Sequence, residues 1–490
     1  MERSAGILLP VFSLPGAYGI GTLGREARAF ADFLRDAGQR WWQVLPVGPT
    51  GAGNSPYTSA STFAGNPLLI DLEDLRDRGL LTEAELSAAR AEPDGPIDYA
   101  ALYENREPLL RRAFSRLDGA EAQAVRDFAA ATPWLGEYAL YRALKTHFGE
   151  TAWYDWPDQA LRDHDPAALA PWRTALAEDI AFHETVQCWF FSQWKALKDH
   201  ANGLGVGIIG DLPIYVSLDS ADVWSERKAF LLDETGRPSR VAGVPPDYFS
   251  AEGQLWGNPL YDWAAMKADG FGWWIRRVEG ASRLFDAIRI DHFRAFERYW
   301  SVPAGAESAK EGQWEKGPGM DLLGVLTNWF PHITYIAEDL GLLTPEVHQL
   351  REAAGLPGMK VLEFAFDHPG NAYLPHNYDS RRCVCYTGTH DNDTALGWYD
   401  HAPEAERAFA ERYLGVSGRE EVRKALLRCG MGSTAELFVA QMQDYLALGS
   451  EGRINVPGVA EGNWRWRMAP GAVTAALAAE IRTLTETYGR

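Results

Sequence analysis

Cysteine is scarce in this sequence and placed without pattern. The four residues Cys188, Cys383, Cys385 and Cys429 form no CxxC pair and no metal-ligand spacing, so neither a disulfide framework nor a zinc site is indicated. Reduced thiols in a cytoplasm are the simplest reading. Long apolar runs are also missing, and the N-terminal stretch MERSAGILLPVFSLPG is broken by Pro10 before it reaches the length of a signal segment. A soluble, cytoplasmic chain is expected, with no membrane partner. Basic charge is in deficit: 47 Lys and Arg face 67 Asp and Glu, a formal net charge of −20, so no basic face is available to neutralise phosphates. Nucleic acid is therefore excluded, and a neutral polar ligand fits better. Repeats, low-complexity tails and linkers that would split the 490 residues are absent too. Nothing in the composition sets the oligomeric state, and a monomer suffices.

What is present is a series of eight short apolar runs, each ending in polar or glycine-rich sequence. They are Ile7 to Leu9, Trp41 to Val47, Val206 to Val216, Phe285 to Phe293, Ile333 to Leu340, Met359 to Phe366, Cys383 to Asp391 and Leu437 to Leu446. Eight such runs fit a closed parallel barrel with helical crossovers. Between the first two, Glu26 to Ala37 puts Ala27, Phe30, Ala31 and Leu34 on one helical face, with Gly38 placed to stop it. The expected fold is α/β, a single (β/α)8 TIM barrel over residues 1–490. It carries a helical insertion at 74–172, a loop-rich substrate-binding insertion at 217–283 and a short one at 297–321, on the C-terminal face of the strands. Thr82-x-x-Glu85 has the spacing of a capping box, and Arg173 to Asn202 reads as one long amphipathic helix stopped by Gly203.

The chemistry gathers at the ends of these runs. The stretch FDAIRIDHFR, Phe285 to Arg294, runs from apolar residues into Arg289, Asp291, His292 and Arg294, which crowds three cationic or titratable groups around one carboxylate. A strand capped by a surface ion pair is the plainer explanation of that stretch alone. Two further acids, Glu338 and Asp391, end the fifth and seventh runs. Cleaving an acetal needs one group to protonate the departing oxygen and another to capture the oxocarbenium-like carbon, which two carboxyls of different pKa can do. Asp291 should be held ionised by its cationic neighbours, and burial should raise Glu338 toward the range of a general acid, although Asp339 beside it complicates that assignment. His292 and His390 adjoin two of the acids, and a neutral imidazole can donate to and accept from a sugar diol. Asp211 either meets substrate or bridges strand ends. Among 19 Trp and 19 Tyr, most serve a core; those in loops, Tyr57 after Ser55, Tyr248, Phe249, Trp256 and Trp464 after Asn463, can stack on sugar.

The blocks GNSPY (53–57), FAGNPLLIDL (63–72), GDLPIYV (210–216), PDYFSAEGQLWGNPLYDW (246–263), RIDHFR (289–294), IAEDLG (336–341), YTGTHDND (386–393), NVPG and GNWRWR together resemble the amylomaltases, bacterial 4-α-glucanotransferases of the α-amylase clan. The resemblance runs the length of the chain. It implies a retaining transfer of α-1,4-glucan segments between maltooligosaccharides, with Asp291 as nucleophile, Glu338 as acid/base and Asp391 gripping sugar hydroxyls. It implies that Tyr57 stacks on the ring being cleaved, and that Tyr248 and Phe249 overhang the acceptor. No cofactor or metal is implied. Ala52 stands where members often carry an aromatic residue that serves a second glucan site. A hydrolase using the same acids, and a glucan-binding barrel without catalysis, are the rival readings.

Overall fold

The eight apolar runs form eight parallel strands in the computed structural model, which describes residues 2–92, 94–246, 251–341 and 343–490. They are β1 (Ser4–Leu8), β2 (Trp41–Gln43), β3 (Gly207–Leu212), β4 (Ala287–Ile290), β5 (Thr334–Ala337), β6 (Gly358–Val361), β7 (Cys383–Tyr386) and β8 (Leu437–Gln441). Hydrogen bonding links them in the order β6-β7-β8-β1-β2-β3-β4-β5. The remaining seam, between β5 and β6, is bridged by the Ala337 N–H donating to Pro357 O at 2.9 Å, which brings the sheet almost to a closed barrel. Almost every strand residue is buried, as a parallel sheet covered on both faces demands. Except for β1, which starts three residues before its run, the strands are shorter than the runs that announce them. Apolar sequence continues past the last ladder bond into the loops at the C-terminal ends.

The first crossover helix spans Arg25–Asp36 and buries Ala27, Phe30, Ala31 and Leu34, with Gly38 at φ 71° turning the chain out of it. Both bonds of the Thr82–Glu85 capping box are made. The long helix expected from Arg173 is two helices. Pro166–Ala175 ends at Leu176, and Ala177–Gly203 runs for 27 residues behind β3, so Arg173 belongs to the preceding element. Gly203 closes that second helix, while Gly205, at φ 78°, makes the left-handed turn that frees the chain for β3.

The segments read as loop-rich contain strands. Gln254–Pro259, Arg240–Val244, Arg298–Pro303 and Gln313–Lys316 pair antiparallel in that order, so residues from 217–283 and 297–321 share one four-stranded sheet. Its registers put Gly243 opposite Leu255 and Trp300, and Trp300 opposite Trp314. Gly257, at φ 77° inside its strand, and the register shift between Val241 and Gly243 interrupt the alternation that would mark these strands in sequence.

Candidate active site

The strand registers decide what can meet. Asp211 in β3 lies opposite Arg289 in β4, and Ile290 at the end of β4 lies opposite Ala337 at the end of β5. Asp291 and Glu338 are therefore the first residues past two adjacent strand ends. Both backbones are pinned there: the Asp291 N–H donates to Leu212 O at 3.0 Å, and the Glu338 N–H to Ile290 O at 3.0 Å. His292 then turns sharply, with φ 50° and ψ 48°, a left-handed conformation that few residues other than glycine adopt. That turn aims its backbone N–H at Glu338 Oε2, 2.6 Å away.

Behind the pair lies a buried relay. The Arg289 guanidinium donates to both oxygens of Asp211 at 2.7 Å and to Asp291 Oδ1 at 3.0 Å. The Tyr57 hydroxyl donates to Asp211 Oδ2 at 2.7 Å and lies 2.8 Å from His390 Nε2. Because that hydroxyl proton is committed to Asp211, the imidazole must donate from Nε2, which sets its tautomer. The Tyr57 and His390 rings are stacked, 5.3 Å apart at 16°. Asp391 follows His390 on the loop after β7, with 45% of its side chain exposed.

Burial raises the carboxyls of the central pair. Glu338 is pushed up to about 8, by burial first, with the Arg289 charge opposing and Asp291 reinforcing. Asp291 is raised to about 7, again by burial first, with Arg289 as the strongest opposing influence. The expectation that cationic neighbours hold Asp291 low is thus corrected: Arg289 is shared with Asp211, and its pull on Asp291 does not cancel burial. The ordering survives. Asp291 has the direct guanidinium contact and 28% of its side chain open to the cleft, so it gives up its proton before Glu338 does. Burial also depresses both imidazoles, His292 to about 3 with help from Arg294, so both rings are neutral near pH 7.

The other predicted residues divide. Asp339 turns away from Glu338, accepting from Arg351 Nη1 and the Met359 N–H at 2.7 Å each, so its carboxylate is engaged elsewhere. Asp211 and Arg289 are buried, with side-chain exposures of 0% and 4%, and bridge strand ends behind the site. Ser55 Oγ accepts the Tyr57 N–H at 3.2 Å and so shapes the turn that carries Tyr57. Trp256 is exposed and places its ring 4.8 Å from that of His292. Trp464, expected as a platform for sugar, is instead 5% exposed; its φ of 64° turns it inward beneath Tyr57 and His390, with ring centroids 5.8 and 6.0 Å away. Asn463 directs its amide to the backbone of Val456 and Val459 in its own loop. Arg294 leaves the acids and lies over Trp314 at 4.0 Å. Tyr248 and Phe249 fall outside the described residues. Among those described, no group of three or more His, Cys, Asp or Glu could hold a metal ion, and no helix is long and apolar enough to cross a membrane.

Two residues that the sequence reading passed over complete the site. Asn455 Nδ2 donates to Asp391 Oδ1 at 2.6 Å, and Arg453 Nη2 donates to the Asp391 carbonyl at 2.7 Å. The NVPG block that contains Asn455 was the only signal for them.

The chain is similar to known proteins along its whole length. Residues 9–474 match the family model described as 4-alpha-glucanotransferase. The 4-alpha-glucanotransferase of Thermus thermophilus is 50% identical, with 100% of this chain and 99% of that protein aligned. The chloroplastic/amyloplastic 4-alpha-glucanotransferase of Solanum tuberosum is 43% identical over 100% of this chain and 87% of its own length. The solved structure of an amylomaltase from Streptococcus agalactiae in complex with acarbose superposes with a TM-score of 0.97 at 38% identity, covering 100% of both chains.

Proposed function

This chain belongs to the 4-alpha-glucanotransferases of glycoside hydrolase family 77, and from that membership we propose how its own residues carry out the transfer. A donor α-1,4-glucan lies across the ends of β4 and β5. Glu338 gives its proton to the departing glucosidic oxygen while an Asp291 carboxylate oxygen bonds to the anomeric carbon, so the donor segment is held as an ester and the rest of the chain leaves. The 4-hydroxyl of an acceptor glucan or of glucose then attacks the same carbon. Its proton passes to Glu338, and the ester bond to Asp291 breaks. Two displacements at one carbon retain its configuration.

The observation that carries this reading is the register that makes Asp291 and Glu338 first residues past neighbouring strands. Neighbouring strands lie about 4.8 Å apart, near the roughly 5 Å between carboxyls that a retaining pair needs. The Arg289 guanidinium donating to Asp291 Oδ1 at 3.0 Å, with burial raising Glu338, supports Glu338 as the acid and Asp291 as the nucleophile. Asp391 meets the hydroxyls of the ring being transferred, Tyr57 offers that ring an aromatic face and Trp256 offers one to the acceptor, and His292 and His390 serve as neutral hydrogen-bonding groups. The free cysteines Cys188, Cys383, Cys385 and Cys429 fit a cytoplasmic setting, with maltooligosaccharides as the natural partners.

A trapping experiment tests the division of roles. In Glu338→Gln a glycosyl fluoride donor should still react, because fluoride departs without protonation, but turnover of the ester should stall. Intact-protein mass spectrometry should show one added glycosyl unit, mapped to Asp291 by peptide analysis. A wild type that consumes the fluoride beside a variant that never gains mass would defeat the assignment.

A further inference from the structure

The loop that carries Asp391 is fastened from outside the barrel, by the segment after β8. Arg453 holds the Asp391 carbonyl through Nη2 at 2.7 Å and the Asn455 carbonyl through Nε at 2.8 Å, tying the two stretches into one unit. The Asn455 N–H donates to His390 O at 3.1 Å. Its side-chain amide then reaches Asp391 Oδ1 at 2.6 Å, a short bond of the charge-assisted kind. The His390 ring is the alternative donor, but it lies 3.4 Å from the same oxygen and directs its Nε2 proton to Tyr57. Among the described residues, then, both neighbours approach Oδ1, and neither is placed on Oδ2.

We propose that Asn455 is the positioning residue for Asp391: its amide takes up Oδ1, leaving Oδ2 as the oxygen that grips the sugar hydroxyl. An amide suits that task because it donates without adding charge. The groups around the pair are His390 and Asp393 on the same loop, Arg453 beside Asn455, and Asp291, Arg289 and Tyr57 across the cleft. A cation in place of Asn455 would draw the Asp391 carboxylate off the substrate. A residue with no donor would leave it free to rotate. The inference rests on the reading of Asp391 as the acid that meets the sugar.

The test compares Asn455→Ala, Asn455→Asp and Asp391→Asn in maltotriose disproportionation across pH, with thermal unfolding measured on each. Loss of the hydrogen bond that orients a charged group gripping the sugar in the transition state predicts a kcat in Asn455→Ala about ten- to a hundredfold below wild type, with KM changed much less. Asn455→Asp carries the sharper expectation. Two carboxyls this close share one proton, so at the acidic end the new carboxyl donates to Asp391 as the amide did and activity approaches wild type. As pH rises and that proton leaves, the two repel, and activity should fall at a lower pH than in the wild type. The inference is overturned if Asn455→Ala and Asn455→Asp keep the wild-type kcat and pH profile while Asp391→Asn is inactive. It is equally overturned if both lose activity by one factor at every pH in step with their melting temperatures, the behaviour of a plain loop brace. Turnover retained in Asp391→Asn would remove the reading of Asp391 itself, and this inference with it.

Discussion

In the proposed mechanism two half-buried carboxyls at the ends of β4 and β5 divide one task by holding their protons differently. Productive attack needs Asp291 ionised and Glu338 protonated, so kcat/KM should rise as the pair loses its first proton near pH 7 and fall as it loses the second near pH 8. A pH profile from maltotriose turnover checks this; a flat profile across that interval would contradict it. The same burial has a cost in stability. A carboxyl raised to about 8 in the folded chain, against about 4.3 when unfolded, binds more protons when native, so it removes stability as pH rises between those values. Glu338→Gln abolishes that ionisation and can still accept the His292 N–H. Its melting temperature should therefore match wild type at acid pH and exceed it increasingly toward pH 8, and a variant less stable than wild type at alkaline pH would refute the assignment. At this scale Asp291, Glu338 and Asp391 were readable because each follows an apolar run. The partners were not: Asn455 lies 64 residues beyond Asp391, and Trp464 looks like any loop tryptophan until its positive φ turns it inward.

The strand ends depend on tight packing beneath them. Gly210, immediately before Asp211 in β3, has no room for a side chain: a Cβ there would sit 2.1 Å from Cδ2 of the buried Phe285 ring. Gly210→Ala must shift that ring, which itself packs edge-on against Trp194. We expect a loss of about 1–3 kcal/mol, read as a lower melting temperature, together with reduced turnover because Asp211 and Arg289 move with the strand. An unchanged melting temperature would show that the ring has somewhere to go. The barrel strands were legible as elements because each is a short apolar run buried on both faces. The four-stranded antiparallel sheet was not. Its registers join Gly243 to Trp300 across more than fifty residues, and glycine, proline and a register shift hide its alternation.

On the scale of the whole molecule, the barrel gathers groups from the loops after β2, β3, β4, β5 and β7 and from the segment after β8 onto one face. That convergence is why an eight-run sequence pattern was enough to say where the chemistry would lie, and why it could not say which groups touch. A transferase must also favour sugar over water at the ester. In the proposed mechanism Trp256, exposed beside His292, is the apolar face for an incoming glucan that water cannot use. Trp256→Ala should raise the share of hydrolysis among products and raise the KM for acceptor, as measured by glucose and reducing-end release; an unaltered ratio would take Trp256 out of acceptor binding. The number of reducing ends during consumption of maltotriose by the wild type decides most directly whether sugar or water accepts the donor segment. Each transfer breaks one glucosidic bond and makes another, so maltotriose should become glucose and a ladder of shorter and longer maltooligosaccharides while the count of reducing ends stays almost constant. A count that rises in proportion to the maltotriose consumed would mean that water is the acceptor and would contradict the transfer mechanism proposed here.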